Sequence, residues 1–124
     1  LRGGAGLVTV ATPRSVVPIV AGYEPSYLTL PLAEDAGGRI SREAFPGLWQ
    51  ALQGITAAAI GPGLGQSPDL TDLVTHLHQT APWPMVIDAD GLNNLAAGPW
   101  RTTPSQPRAS RIFTPHLGEF ARLT

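Results

Sequence analysis

Ile112-Phe113-Thr114-Pro115-His116-Leu117-Gly118-Glu119-Phe120 reads as a strand that stops at a proline and hands over to a helix. The apolar pair ends the strand. His116 and Glu119 then stand at the mouth of a short helical pattern that begins near Leu117. Polar groups delivered at the carboxyl ends of strands are where open α/β sheets place ligands. Two more transitions of this kind lie upstream, at Gly61-Pro62-Gly63-Leu64-Gly65 and at Asp88-Ala89-Asp90-Gly91. Three such edges in one short chain make a site hypothesis as well as a fold.

The elements around them follow the same order. Leu7-Val8-Thr9-Val10-Ala11 is a run rich in β-branched residues, bounded by Gly6 and Pro13, and reads as a buried strand. A short helix through Ser15-Val16-Val17 is weakened by Pro18. Tyr27-Leu28-Thr29-Leu30 is a second strand, and residues 33–39 a polar loop. Ala44, Leu48, Ala51 and Leu52 recur at near-helical spacing behind Ser41 as N-cap, with Pro46 awkward in the first turn.

Thr56-Ala57-Ala58-Ala59-Ile60 is a strand ending at Gly61. Ser67 caps a helix whose first turn holds Pro68 and whose apolar stripe is Leu70, Leu73, Val74 and Leu77. Met85-Val86-Ile87 is the next strand; Leu92, Leu95 and Ala96 mark a brief helix stopped by Gly98-Pro99. Residues 101–108 form a polar loop before the last strand, Arg111-Ile112-Phe113. Continuous apolar strands alternating with helices indicate an α/β fold with a parallel sheet covered on both faces. No internal repeat and no dividing linker is visible.

Composition narrows the chemistry. The 124 residues are 43% apolar with a formal net charge of -1, which makes no electrostatic case for nucleic acid or an anionic membrane. All the basic residues are arginine, so neither a Schiff-base lysine nor a phosphate-binding lysine occurs in this chain. Zero cysteines exclude disulfides, thiolate nucleophiles and Cys-based zinc sites, and fit a reducing cytoplasm. No apolar run reaches membrane-span length. The 14 glycines and 13 prolines fall mostly between periodic segments, as loop punctuation. A start without methionine and an end two or three residues into a helix suggest an excerpt of a larger domain.

Each motif has a plain reading beside the functional one. Gly61 to Gly65 matches neither the dinucleotide fingerprint nor the lysine-bearing phosphate loop. It is a tight strand-to-helix turn, or a turn that lets a ligand approach the backbone closely. Asp88 and Asp90 share a side if the backbone is extended and could then hold magnesium or a ribose hydroxyl. The favoured alternative is that one of them caps the following helix, with Asn93 and Asn94 completing the turn. His116, fixed behind Pro115, can donate and accept hydrogen bonds. Glu119, three residues on, shares its helical face or simply stabilises the helix N-terminus. His76 and His78 face apart and form no metal pair. Trp49, Trp83 and Trp100 stand singly and read as packing residues.

Four segments taken together resemble one family. They are residues 4–13, Ala59-Ile60-Gly61-Pro62-Gly63-Leu64-Gly65, Val86-Ile87-Asp88-Ala89-Asp90-Gly91-Leu92-Asn93 and Phe113-Thr114-Pro115-His116-Leu117-Gly118-Glu119-Phe120. Their order and spacing resemble the ADP/ATP-dependent NAD(P)H-hydrate dehydratases, the carboxy-terminal domain of YjeF-type proteins, from Gly4 to the end. The resemblance implies a ribokinase-like fold, of which residues 1–124 are a part. It also implies removal of water from the 6S hydrate of NADH or NADPH at the expense of ATP or ADP with Mg2+. By the match, Gly63, Gly65 and His116 contact the hydrated dinucleotide, and Asp90 and Asn93 shape the pocket wall.

Asn94 departs from the family pattern, where an apolar residue is common; a local packing effect is the expectation. The family's Lys-Gly strand and its Gly-Thr-Gly-Asp segment, with the presumed catalytic aspartate, are absent from residues 1–124. No catalytic residue is therefore assigned within this chain, and on its own it is expected to be inactive. The resemblance further leaves room for a fused epimerase domain upstream and for a homo-oligomer. Two alternatives stand beside it: a sugar or vitamin kinase of the same superfamily, and a non-catalytic binding module.

Overall fold

In the computed structural model, which describes residues 3–101 and 109–124, every strand pairing is parallel. The chain forms two compact units, Leu1–Ala51 and Leu52–Thr124.

The first unit is a strand–helix–strand. β1 (Thr9–Pro13) leads through a 3₁₀ turn (Arg14–Val16) into α1 (Val17–Tyr23) and then β2 (Leu28–Leu32). The ladder runs from Thr9↔Leu28 to Pro13↔Leu32, so both strands end two residues later than hydrophobicity alone indicates. Pro18 does not weaken the helix. It sits in the first turn of α1, where its missing N–H has no partner to lose. In the polar loop that follows, the Asp35 carboxylate accepts the N–H groups of Gly37 (2.8 Å) and Arg39 (3.0 Å). A further 3₁₀ turn (Arg42–Ala44) and α2 (Phe45–Ala51) bury Ala44, Phe45 and Leu48, while Ala51 is exposed. Ser41 occupies the N-cap position of that turn without a capping hydrogen bond; its side chain bonds to Glu43 and holds that carboxyl below its ordinary pKa.

The second unit alternates β3 (Ala58–Ile60), α3 (Pro68–Thr80), β4 (Met85–Ile87), α4 (Asp90–Ala97), β5 (Arg111–Phe113) and α5 (Leu117–Leu123). The strand order is β3-β4-β5. Ser67 caps α3 as its sequence indicates: Oγ accepts the Leu70 N–H at 3.1 Å. Leu70, Leu73, Val74 and Leu77 are buried together with Met85, Ile87, Leu92 and Leu95. Each such side chain contributes about 1.5–3 kcal/mol of burial.

Arg111 finishes α3 from a distance. Its guanidinium donates to the carbonyls of Leu77, His78 and Ala81 around the helix C-terminus; Leu77 O also accepts the Ala81 N–H, and His78 O is one that a helix end leaves open. Phe113 packs on the same side, against His78 and Trp100. Trp49 packs against Phe45 with its ring tilted by 54°, Trp100 packs edge-on to His78 and Phe113, and Trp83 is buried, so the tryptophans are packing residues. Burial first, and then the charge of Arg111, lower the pKa of His78, which packs as a neutral ring. Ile112, pointing the other way, stays 56% exposed. The expected loop at 101–108 lies, beyond Arg101, outside the described residues.

Candidate functional site

Register brings the three loops to one edge. Ile60 pairs with Ile87, and Ile87 with Phe113, so Gly61, Asp88 and Thr114 leave the sheet side by side. Two more hydrogen bonds carry the ladder past the strands, Asp88 N–H to Ile60 O (3.1 Å) and Thr114 N–H to Ile87 O (3.4 Å). Neighbouring strands lie about 4.8 Å apart, so the whole edge spans about 10 Å.

Gly61 has φ +136°, and a Cβ built there meets the Asp88 carbonyl oxygen at 1.7 Å. The loop after β3 therefore presses directly on the start of α4. Pro62 and Gly63 occupy the centre of a turn closed by Leu64 N–H to Gly61 O at 3.0 Å. With Gly63 at φ +72° this is the type II arrangement, proline then glycine. A Cβ at Gly63 meets nothing within 4 Å, and the Gly63 N–H has no partner among the described residues. The turn offers an open donor beside free space.

Gly65, at φ +76°, is gripped on both sides. Its N–H donates to Asp90 Oδ2 at 3.0 Å, and its carbonyl accepts from Asn94 Nδ2 at 2.8 Å. Asp90 Oδ1 accepts from Gln66 Nε2 and Asn93 Nδ2, both at 3.1 Å. Asn93 Oδ1 accepts from Arg122 Nη1 at 2.8 Å, which ties the α4 start to α5. Gly65, Asp90 and Asn93 thus stand in one hydrogen-bonded network with Gly63 beside it.

The aspartate readings are corrected. Neither Asp88 nor Asp90 caps α4; the N-cap is Ala89, which makes no side-chain bond. Nor do the two share a side on extended backbone, because Ala89 has φ 47° and ψ -122°. Ala89 is the only non-glycine at positive φ among the described residues. Such strain is typical of ligand-binding edges and costs on the order of 1–3 kcal/mol. Ala89→Gly is expected to stabilise the protein by about 1 kcal/mol, read as a higher urea midpoint. An unchanged or lower midpoint would mean that the turn is unstrained.

His116 is the N-cap of α5. Nδ1 accepts the N–H groups of Gly118 (3.0 Å) and Glu119 (3.4 Å), while Oε2 of the buried Glu119 accepts the His116 N–H at 3.0 Å. This reciprocal pair is a capping box built with histidine. Nε2 stands 3.0 Å from Glu119 Oε1, so the ring is the Nε2–H tautomer, held by its own helix. Its side chain is nevertheless 66% exposed, beside the exposed Leu117 and Phe120. No hydrogen bond joins His116 to the glycine loop among the described residues; the link between the helices is Asn93–Arg122.

The expectation of a mere local packing effect at Asn94 is corrected. It is 1% exposed and bonds to Gly65 O, to Asp90 O (2.7 Å) and to Thr71 Oγ1 (3.3 Å). A buried amide with three partners is a bracket, not a local packing change. The signal available was a polar residue at an apolar, α4-core spacing between Gly91 and Leu95.

Among the described residues no three His, Cys, Asp or Glu gather to hold a metal ion, and both Asp90 oxygens are taken by protein donors. The described residues do not form a magnesium site. A shallow concavity lined by Gly98, Trp100, Arg101, Arg122 and Thr124 lies at the other ends of α4 and α5. No helix of the described residues is long and apolar enough to cross a membrane.

Gly65→Val tests the loop in the full-length protein. A β-branched residue at that φ costs about 1–3 kcal/mol and pulls Gly65 away from Asp90 and Asn94. Weaker binding of the loop's ligand is expected; unchanged affinity with the fold intact would reduce the loop to a turn.

The profile of the family described as NAD(P)H-hydrate dehydratase matches residues 1–124. The bifunctional NAD(P)H-hydrate repair enzyme Nnr of Moorella thermoacetica is 42% identical over 123 residues, covering 99% of this chain and 23% of that protein. The enzyme of the same name from Salinibacter ruber is 40% identical, covering 98% and 22%. The chain therefore spans less than a quarter of the length of these relatives. Among solved structures, a ribokinase-like superfamily protein from Enterococcus faecalis V583 superposes with a TM-score of 0.75 at 21% identity, over 97% of this chain and 38% of that one. This likeness establishes the ribokinase-like α/β fold. The ADP/ATP-dependent NAD(P)H-hydrate dehydratase of Bacillus subtilis, co-crystallised with ATP/Mg2+ and soaked with CoA, gives a TM-score of 0.67 at 29% identity, over 99% and 39%.

Proposed function

The chain belongs to the NAD(P)H-hydrate dehydratase family, and we propose that it forms the dinucleotide-hydrate side of an active site completed elsewhere in the full-length protein. There the protein returns (6S)-NAD(P)H hydrate to NAD(P)H at the expense of ADP or ATP. Residues 1–124 are on this reading one part of a ribokinase-like domain in a cytoplasmic repair enzyme.

The observation that carries the reading is the edge itself. Gly63 offers an N–H with no partner among the described residues beside open space, Gly65 is locked by Asp90, and His116 is exposed two residues beyond Thr114. An edge that presents backbone donors and an exposed imidazole suits a hydroxyl-bearing ring and its neighbouring phosphate. Gly63, Gly65 and His116 contact the hydrate; Asp90 and Asn93 hold the wall.

The chemistry explains the need for a nucleotide. Hydroxide leaves C6 poorly. Transfer of a phosphoryl group from ATP or ADP to the C6 hydroxyl makes phosphate the leaving group. Phosphate then departs with the C–O bond pair, a proton is lost from C5, and the C5–C6 double bond returns. The chain's own residues bind and orient the hydrate; no step is assigned to them beyond that. The transfer needs the nucleotide and Mg2+, and residues 1–124 contain neither the lysine nor the Gly-Thr-Gly-Asp segment for it.

The test is turnover by the full-length protein. Hydrated NADH with ATP or ADP is expected to yield NADH absorbance, with no phosphorylation of sugars or vitamins. Phosphorylation of a sugar or vitamin without hydrate turnover would make the protein a kinase of the same fold. Hydrate binding without turnover would leave a binding module.

A further inference from the structure

We propose that Asn94 is a positioning residue for the hydrated dinucleotide, acting through Gly65. The inference rests on the reading that the glycine loop receives that ligand.

Among the largest fully buried side chains of the described residues, Asn94 is the one polar member; the rest are Leu70, Leu73, Met85, Ile87, Leu92, Leu95 and Val74. A buried amide is costly unless its donors and acceptor are all used. Those of Asn94 are used across three elements. Nδ2 donates to Gly65 O in the loop and to Asp90 O within α4, and Oδ1 accepts from Thr71 Oγ1 on α3.

The Gly65 bond is the informative one. Glycine at positive φ is the most freely rotating kind of residue. Yet Asp90 holds its N–H and Asn94 its carbonyl, so both flanking peptide planes are fixed. The planes that follow the open turn at Pro62–Gly63 are therefore preset before any ligand arrives. A ligand that meets a preset loop loses less in ordering it. Asp90 supplies one half of this grip from the family motif, and Asn94 supplies the other.

The grip predicts a split in kinetics, not a general loss. In the full-length protein Asn94→Leu takes the Asn94 donor from the half-buried Gly65 carbonyl and frees that peptide plane. KM for the hydrate is expected to rise about tenfold, with kcat and the KM for ATP or ADP within about twofold. Asn94→Asp, which has the same shape but no N–H to give, is expected to raise KM likewise, and it serves if the leucine variant does not fold. Thr71→Val removes only the bond to α3 and is expected to leave hydrate KM within about twofold despite a lower melting temperature. Hydrate KM unchanged in both Asn94 variants, or raised equally for hydrate and nucleotide, overturns the inference. A parent protein that fails to turn over hydrate overturns the underlying reading instead, so the two failures are distinguishable.

Discussion

Gly61→Ala is expected to leave little folded full-length protein. Two costs coincide at this position. The backbone stands at φ +136°, a region that L side chains rarely adopt, at about 1–3 kcal/mol. In addition the new Cβ falls 1.7 Å from the Asp88 carbonyl oxygen and 2.9 Å from the Gly91 nitrogen. Both obstacles are backbone, at the end of a strand and in the first turn of a helix, so no rotamer change relieves them. The sum is about 4 kcal/mol or more, at the extreme of single substitutions and a large share of a typical 5–15 kcal/mol stability. Gly63→Ala is the control: positive φ, yet open space, so only the strain remains, about 1 kcal/mol. Chemical denaturation of both variants separates the terms. Equal midpoints would show that the loop does not press on the α4 start.

His116→Ala is expected to lower hydrate turnover by about ten- to a hundredfold in kcat/KM, the usual effect of losing one strong substrate hydrogen bond. ATP affinity should stay within about twofold. The alanine variant also removes the α5 cap, which costs on the order of 1 kcal/mol. His116→Asn resolves the ambiguity. Asparagine is a good N-cap and can accept from Gly118 and Glu119 as Nδ1 does. It should restore the melting temperature without restoring turnover. If instead His116→Asn matches the parent in turnover, His116 is a cap and nothing more.

The distinction matters because the structure gives His116 a complete set of local partners. A ligand that takes Nε2 must draw it from Glu119 Oε1, 3.0 Å away. Glu119 is buried and keeps the His116 N–H, so the backbone of the cap survives while the ring is exchanged. The capping box keeps the helix start closed even when the ring is turned away from Glu119.

Much of this was legible in the residues. Met85-Val86-Ile87 and Arg111-Ile112-Phe113 match the observed strands to the residue: Pro84 and Asp88 bound the first, and the polar Ser110 and Thr114-Pro115 bound the second. The Ser67–Pro68 helix start and its buried stripe followed from capping chemistry and a 3.6-residue period. Convergence of the three loops followed from parallel order alone.

Pro18 was misread because a proline in a helix interior and one in a first turn differ only by where the helix begins. The aspartates were misread because the chain turns at Ala89 (φ 47°, ψ -122°), which makes Ala89 the N-cap and takes Asp88 and Asp90 off a common extended side; such a turn, packed close to Gly61, has no local sequence signal. Asn94 was misread because a buried amide has no periodic signature; its partners lie 23 and 29 residues away in sequence.

The most direct measurement is a crystal structure of the full-length protein with the hydrated dinucleotide bound. The hydrated nicotinamide ring is expected within hydrogen-bond distance of His116, and the adjoining ribose-phosphate against the Gly63–Gly65 backbone, with Asp90 still on the Gly65 N–H. A hydrate seated away from this edge, with His116 still closed on Glu119, would contradict this placement.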